Sequence, residues 1–160
     1  LAGCVALLRA LHLSDSYPGT WPDDAAGWIT PHGFLLAWIA LSEGSIVGHL
    51  ALASVDEAVD PEFVRASGVP AAQLVEVRRL FVDPSQRRAG IAGRLLEVAA
   101  QYASARALHP VLETTADNSV AMRCYERNGW RRIGSKAATW RRASGEQPLL
   151  HQYELILPPR

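Results

Sequence analysis

The stretch with the clearest chemical potential runs Arg78-Arg79-Leu80-Phe81-Val82-Asp83-Pro84-Ser85-Gln86-Arg87-Arg88-Ala89-Gly90-Ile91-Ala92-Gly93-Arg94. An apolar strand pattern stops at Asp83-Pro84, and a basic turn of small residues opens directly into a helical pattern. The first backbone N–H groups of a helix have no partner within it and carry the positive end of its dipole. Small side chains at Ala89, Gly90, Ala92 and Gly93, flanking Ile91, let an anion approach those amides, and Arg87, Arg88 and Arg94 add charge suited to phosphate oxygens. The pattern is neither the Gly-Lys-Ser/Thr phosphate loop nor the GxGxxG dinucleotide turn. On the residues alone it reads either as an anion cradle or as a Gly-rich turn bearing solvated arginines.

Two side chains outside that stretch carry protons that could be transferred. Tyr125 follows Asn118 and Ala121 in a short helical pattern that closes on Asn128-Gly129-Trp130. A phenol of pKa near 10 can protonate a basic leaving group, but Tyr125 shares a helix face with Ala121 and also suits a core. Glu76 lies on the strand eleven residues before Arg87. It reads as a general base or as a surface carboxylate paired with Arg78, because strand alternation places both on one face.

The spacing Arg87-x-x-Gly90-x-Ala92, between Val82-Asp83-Pro84 and a helix carrying Leu95-Leu96, resembles the acetyl-CoA signature of the GCN5-related N-acetyltransferases. Asn118, Ala121, Tyr125, Gly129 and Trp130 fall at the intervals of that family's second motif. The resemblance implies a sheet whose strands before the cradle and before Asn118 splay apart to admit acetyl-CoA. Backbone groups of Leu80, Phe81 and Val82 would pair with the pantetheine arm as an added strand does. Residues Arg87, Arg88, Ala89, Gly90, Ile91, Ala92, Gly93 and Arg94 would hold the pyrophosphate, and Asn118 would meet the cofactor arm.

In that resemblance Tyr125 is the acid for the departing thiolate and a main-chain amide near Leu80 the oxyanion donor. Glu76 matches the strand glutamate that serves as base in histone-acetylating members. The implied reaction is direct acetyl transfer from acetyl-CoA to a primary amine of a small molecule or peptide. The alternatives are a non-catalytic acyl-CoA-binding regulatory module and a nucleotide-binding domain of another fold. A homodimer is common in the family, and its usual first strand is missing ahead of Leu1.

These residues need a frame, and the hydrophobic pattern predicts one: a single α/β domain over residues 1–160, with a mixed, largely antiparallel sheet flanked by helices. Helix is expected over 1–13, then a loop over 14–33 with a short helix after Asp23. Phe34–Leu41 and Ser45–Ser54 read as a hairpin about Ser42-Glu43-Gly44. Residues 55–70 read as an acidic loop with one helical turn. Leu74–Val82 is a third strand, 90–107 a helix, Pro110–Thr115 a fourth strand, and Asn118–Arg127 a short helix. Trp130–Trp140 and Leu149–Leu157 make a closing strand pair. Trp21, Trp28 and His32 sit in the loop where acceptor pockets form in the family, and Trp140 on the penultimate strand reaches the same region; packing is the competing role for each.

Composition narrows the function classes. With 49% hydrophobic residues, 20% charged and no net charge, the chain is globular and offers no overall case for nucleic-acid binding. No apolar run approaches the roughly 20 residues of a membrane span. Cys4 and Cys124 make neither a disulfide framework nor a metal site, and the histidines have no ligand spacing, so no metal is expected and a reducing cytoplasm fits. Leu1-Ala2-Gly3-Cys4 matches a lipoprotein cleavage box without its preceding segment. The neutral total hides a split: residues 1–77 hold two arginines against nine acids, and 78–160 hold fourteen basic residues against seven acids. The basic half holds the expected phosphate ligands, and the acidic half holds loops suited to a cationic amine.

Overall fold

Near-continuous apolar runs on either side of Glu43-Gly44 form a hairpin of β1 (Phe34–Ser42) and β2 (Ser45–Ser54). Its two linking residues, Glu43 and Gly44, both have positive φ (49° and 80°), the turn geometry that follows the strand twist. The computed structural model describes residues 1–159. The remaining strands are β3 (Leu74–Val82), β4 (His109–Thr115), β5 (Trp130–Ala137) and β6 (Leu149–Leu155). They form one six-stranded sheet in the order β1-β2-β3-β4-β6-β5, parallel between β3 and β4 and antiparallel elsewhere.

Helices cover both faces. Among the described residues these are α1 (Ala2–Asp15), α2 (Ala25–Ile29), α3 (Pro61–Ser67), α4 (Ile91–Ala105) and α5 (Ser119–Arg127). The largest core joins Leu95, Leu96, Ala99 and Ala103 of α4 to Leu50, Leu52, Val75, Val77, Leu112 and Tyr153 of the sheet. Strand alternation sends the intervening side chains the other way. There Leu7, Leu8 and Leu11 of α1 pack with Ile29 and Phe81, and Phe63 of α3 packs with Leu74 and Val111.

β3 and β4 pair only over Leu74–Glu76 against His109–Val111. From Val111 onward β4 pairs with β6 instead, so the β4-facing edge of β3 beyond Glu76 has no partner strand. On its other edge β3 carries a β-bulge at Arg79 (φ 53°), between the pairs Ala51–Arg78 and His49–Phe81. The expected splay is therefore present, and the bulge bends the strand at its mouth.

Several expected boundaries shift. α1 runs to Asp15, and residues 61–67 form a full short helix, with Pro61 supplying its preset φ at the first turn. α4 ends at Ala105 rather than 107, β4 begins at His109, and Asn118 caps α5 from outside it. β5 stops at Ala137, not Trp140, because Arg142 and Glu146 close a turn of their own, with the Arg142 amide donating to the Glu146 carbonyl at 2.8 Å. β6 stops at Leu155 rather than Leu157, ahead of Pro158. No helix among the described residues is long and apolar enough to cross a membrane.

Candidate active site

The open half of β3 gathers most of the expected site. Leu80 and Val82 pack toward the α4 core, while Phe81 is buried beneath α1. At the bulge, buried His49 lies across β3, its Nδ1 2.8 Å from the Arg79 carbonyl oxygen and its ring stacked on Phe81 at 4.9 Å. A carbonyl only accepts, so Nδ1 donates, and burial lowers the imidazole pKa and keeps the ring neutral. His49 thus ties down the peptide that carries the bulge.

The cradle follows at the same end of the strand. Asp83 accepts from the Ser85 amide and hydroxyl at 2.9 and 2.8 Å, fixing the turn. Gly90 stands before α4 in the left-handed region (φ 74°), and no side chain caps the helix. Arg88 is also left-handed (φ 71°). Arg87, Arg88, Ala89, Gly90 and Arg94 are exposed, Ala92 and Gly93 half-buried, and Ile91 is buried as the helix anchor. Arg94 folds back on the Ala89 carbonyl at 3.0 Å. Arg87 is engaged by Asp15 at the end of α1, which holds the Asp15 carboxyl below its ordinary pKa.

Asn118 occupies the N-cap of α5, its side-chain oxygen accepting from the Ala121 amide at 3.2 Å. Tyr125, about two turns further along, is buried, with Tyr153 and Trp130 rings at 5.8 and 6.4 Å. Burial raises its phenol well above the ordinary value, so it stays protonated. The ring belongs to the core, while its hydroxyl lies within electrostatic reach of Tyr17.

Glu76 marks the point where the strands part. It is 5% exposed, so it is no surface carboxylate. The Arg78 guanidinium stands 3.8 Å away, too far for a hydrogen bond, and burial wins, pushing the Glu76 pKa up to about 8. Glu113 and Asp60 reinforce the rise. Glu113 is itself raised by burial, and Lys136, the chain's single lysine, lies 3.3 Å from Asp60, 3.4 Å from Glu113 and 3.9 Å from Glu62.

The four aromatic and imidazole candidates do not converge. Trp28 is at the site: Arg79 lies over its ring at 3.9 Å and donates Nε to its carbonyl at 2.7 Å. Trp21 packs outboard against His12 and Arg9. His32 is largely exposed beside Asp56, where β1 starts and β2 ends, toward the closed end of the β3–β4 pair. Trp140 is 48% exposed beyond the end of β5. Sequence reading passed over Tyr17, His49 and Arg79. The available signal was Arg78-Arg79 itself, since two adjacent arginines within an apolar strand defeat simple alternation and imply a bulge.

Comparison with known proteins agrees with this geometry. No curated protein matches the chain in sequence. Among solved structures, NAA60 of Arabidopsis thaliana in complex with a bisubstrate analogue superposes with a TM-score of 0.73 at 15% identity, covering 98% of this chain and 95% of that one. The ribosomal-protein-S18-alanine N-acetyltransferase of Escherichia coli gives 0.64 at 16% identity over 92% and 86%. A Bacillus anthracis protein solved with acetyl coenzyme A gives 0.62 at 20% identity over 82% and 66%. At these identities the likeness is one of fold. The model of the Acetyltransferase (GNAT) family matches residues 6–130, spanning the splayed strands, the cradle and Tyr125. The chain belongs to that acetyltransferase family.

Proposed function

We propose that the protein is an acetyl-CoA-dependent N-acetyltransferase that acts by direct attack of a primary amine. The observation that carries this reading is the strand edge of β3 beyond Glu76, without a partner strand and leading straight into the uncapped start of α4. An extended amide-bearing arm fits such an edge, and a pyrophosphate fits exposed helix amides ringed by Arg87, Arg88 and Arg94. The residues present therefore fit the donor.

Acetyl-CoA supplies a thioester: its C–S bond breaks as the C–N bond to the amine forms. Leu80, Phe81 and Val82 align the arm through their main chain, and an amide beside Leu80 donates to the carbonyl oxygen as negative charge develops there. Asn118 contacts the arm with the side-chain N–H groups that its cap leaves unused. Glu76, in its carboxylate form, takes the proton of the incoming ammonium; the Tyr125 hydroxyl gives a proton to the departing thiolate and is restored by the second proton that the nitrogen sheds as the amide forms. A base with a pKa near 8 is matched to an amine that must be deprotonated near neutral pH.

Thiol release with acetyl-CoA and succinyl-CoA over a mixed panel of amines and peptides tests the proposal. Amine-dependent release is the expected result. Tight CoA binding without turnover on any acceptor would establish the non-catalytic module instead. Thermal stabilisation by ATP or NAD but not by CoA would overturn both.

A further inference from the structure

Arg79 is a cation in search of a counter-ion. It is partly buried at the bulge, flat against Trp28 at 3.9 Å, with Nε donating to the Trp28 carbonyl. No carboxylate stands within ion-pair distance of it among the described residues; the nearby acid, Glu76, faces Arg78 at 3.8 Å instead, and burial keeps it protonated near neutral pH. Burial, and after it repulsion from the Arg78 guanidinium, lowers the Arg79 pKa to about 10, which still leaves it charged at neutral pH. Half-buried positive charge of this kind is costly unless a ligand completes it.

The surroundings say which ligand. With Nε committed to Trp28, the two terminal nitrogens form a planar fork, the geometry that matches a two-oxygen anion. The Tyr17 hydroxyl lies within electrostatic reach of Arg78 and Arg79, and Tyr125 within reach of Tyr17. Tyr17 and Trp28 meet edge to face at 5.9 Å, so the fork is walled by aromatic rings contributed by the α1–α2 segment. The donor's phosphates belong beyond the end of β3, by Arg87 and Gly90, and its arm is uncharged where it passes the bulge.

We propose that Arg79, with Arg78 and Tyr17, binds a carboxylate of the acceptor, so that the amine acetylated belongs to a free amino acid or a close amino-acid analogue. This rests on the N-acetyltransferase reading and narrows its acceptor class. It keeps the cationic amine expected of the acceptor and adds a carboxylate to it; in the acidic half, Asp60 and Glu62 are gathered on Lys136, and Asp15 on Arg87.

The test compares amino acids with their decarboxylated amines and their carboxamides. Turnover is read as kcat/KM at saturating acetyl-CoA, and binding is read by calorimetry on protein loaded with CoA. The wild type is expected to favour the carboxylate-bearing member by about ten- to a hundredfold, the range of one charge-assisted forked contact. In Arg79→Gln that ratio should fall toward one, while Arg79→Lys should restore part of it. Equal turnover of the three members, preference for the amine or carboxamide, or an Arg79→Gln effect confined to the KM for acetyl-CoA would overturn the proposal. The wild-type ratio decides the matter even if Arg79→Gln fails to fold. Carboxylate-selective binding without turnover of any amine would uphold the anion site and defeat the N-acetyltransferase reading instead.

Discussion

The two halves of β3 are built to opposite ends. From Leu74 to Val77 the strand is buried, and Val75–Glu76 pairs on both sides, against Ser54–Ala53 and against Pro110–Val111. From Arg78 to Val82 it keeps one neighbour, bulges at Arg79 and carries arginines where the first half carries valines. The first half satisfies all that folding asks of a central strand. The second leaves main-chain groups and charge uncommitted, and those are what a ligand can use. Stability and chemistry are divided along nine residues, with Glu76 at the boundary.

Substitutions should respect that division. The largest effect belongs to the closed half. Leu52, 1% exposed and opposite Val77, should cost about 2–5 kcal/mol of unfolding free energy as Leu52→Ala, read as a lower urea midpoint. Catalysis by the molecules that remain folded should persist; equal loss of both would blur the division.

At the boundary, Glu76→Gln should lower kcat/KM by about a hundredfold, the lower range of general-base effects, and remove the limb that rises with pH toward about 8 in the wild type. The stability sign runs the other way. Folded Glu76 keeps a proton between roughly pH 4.5 and 8 that the unfolded chain has released, so wild-type unfolding free energy should fall as pH rises through that window. In Glu76→Gln that part of the decline should vanish. A pH–rate profile and denaturant titrations at pH 5, 7 and 9 check both.

In the open half, Tyr125→Phe should slow turnover at least about tenfold, with the melting temperature moved by only a few degrees, because the ring keeps its packing against Trp130 and Tyr153. Full activity in this variant would return Tyr125 to a purely structural role. The smallest effect is at the cradle. Asp15→Asn releases Arg87 and should tighten CoA binding about two- to threefold by calorimetry, the scale of an exposed ion pair. An unchanged or weaker affinity would mean that Asp15 does not compete for the cradle.

Much of this was legible in the chain. The hairpin, the strand before the cradle, the helix after it and the order of both motifs follow from alternation, helical spacing and turn residues. The ends of β5 and β6 were less so, because Trp140 and Leu157 continue an apolar pattern while the Arg142–Glu146 turn follows β5 and Pro158 follows β6. Glu76 and Tyr125 each carried two readings. The structure buries both side chains, which removes the surface alternative for Glu76 and shows the Tyr125 ring to be core.

What the amino-acid order alone determined is local: which segments alternate, where glycine permits a left-handed start to α4, and which basic side chains surround it. Those properties depend on neighbours a few residues apart. The tertiary structure alone decided the rest. It parted β3 from β4 after Glu76, brought Asp15 to Arg87 across 72 residues, and set Trp28 beneath Arg79 across 51. Burial, and with it the pKa of Glu76 and the missing partner of Arg79, arises from which distant side chains exclude water, and no short window of sequence contains that.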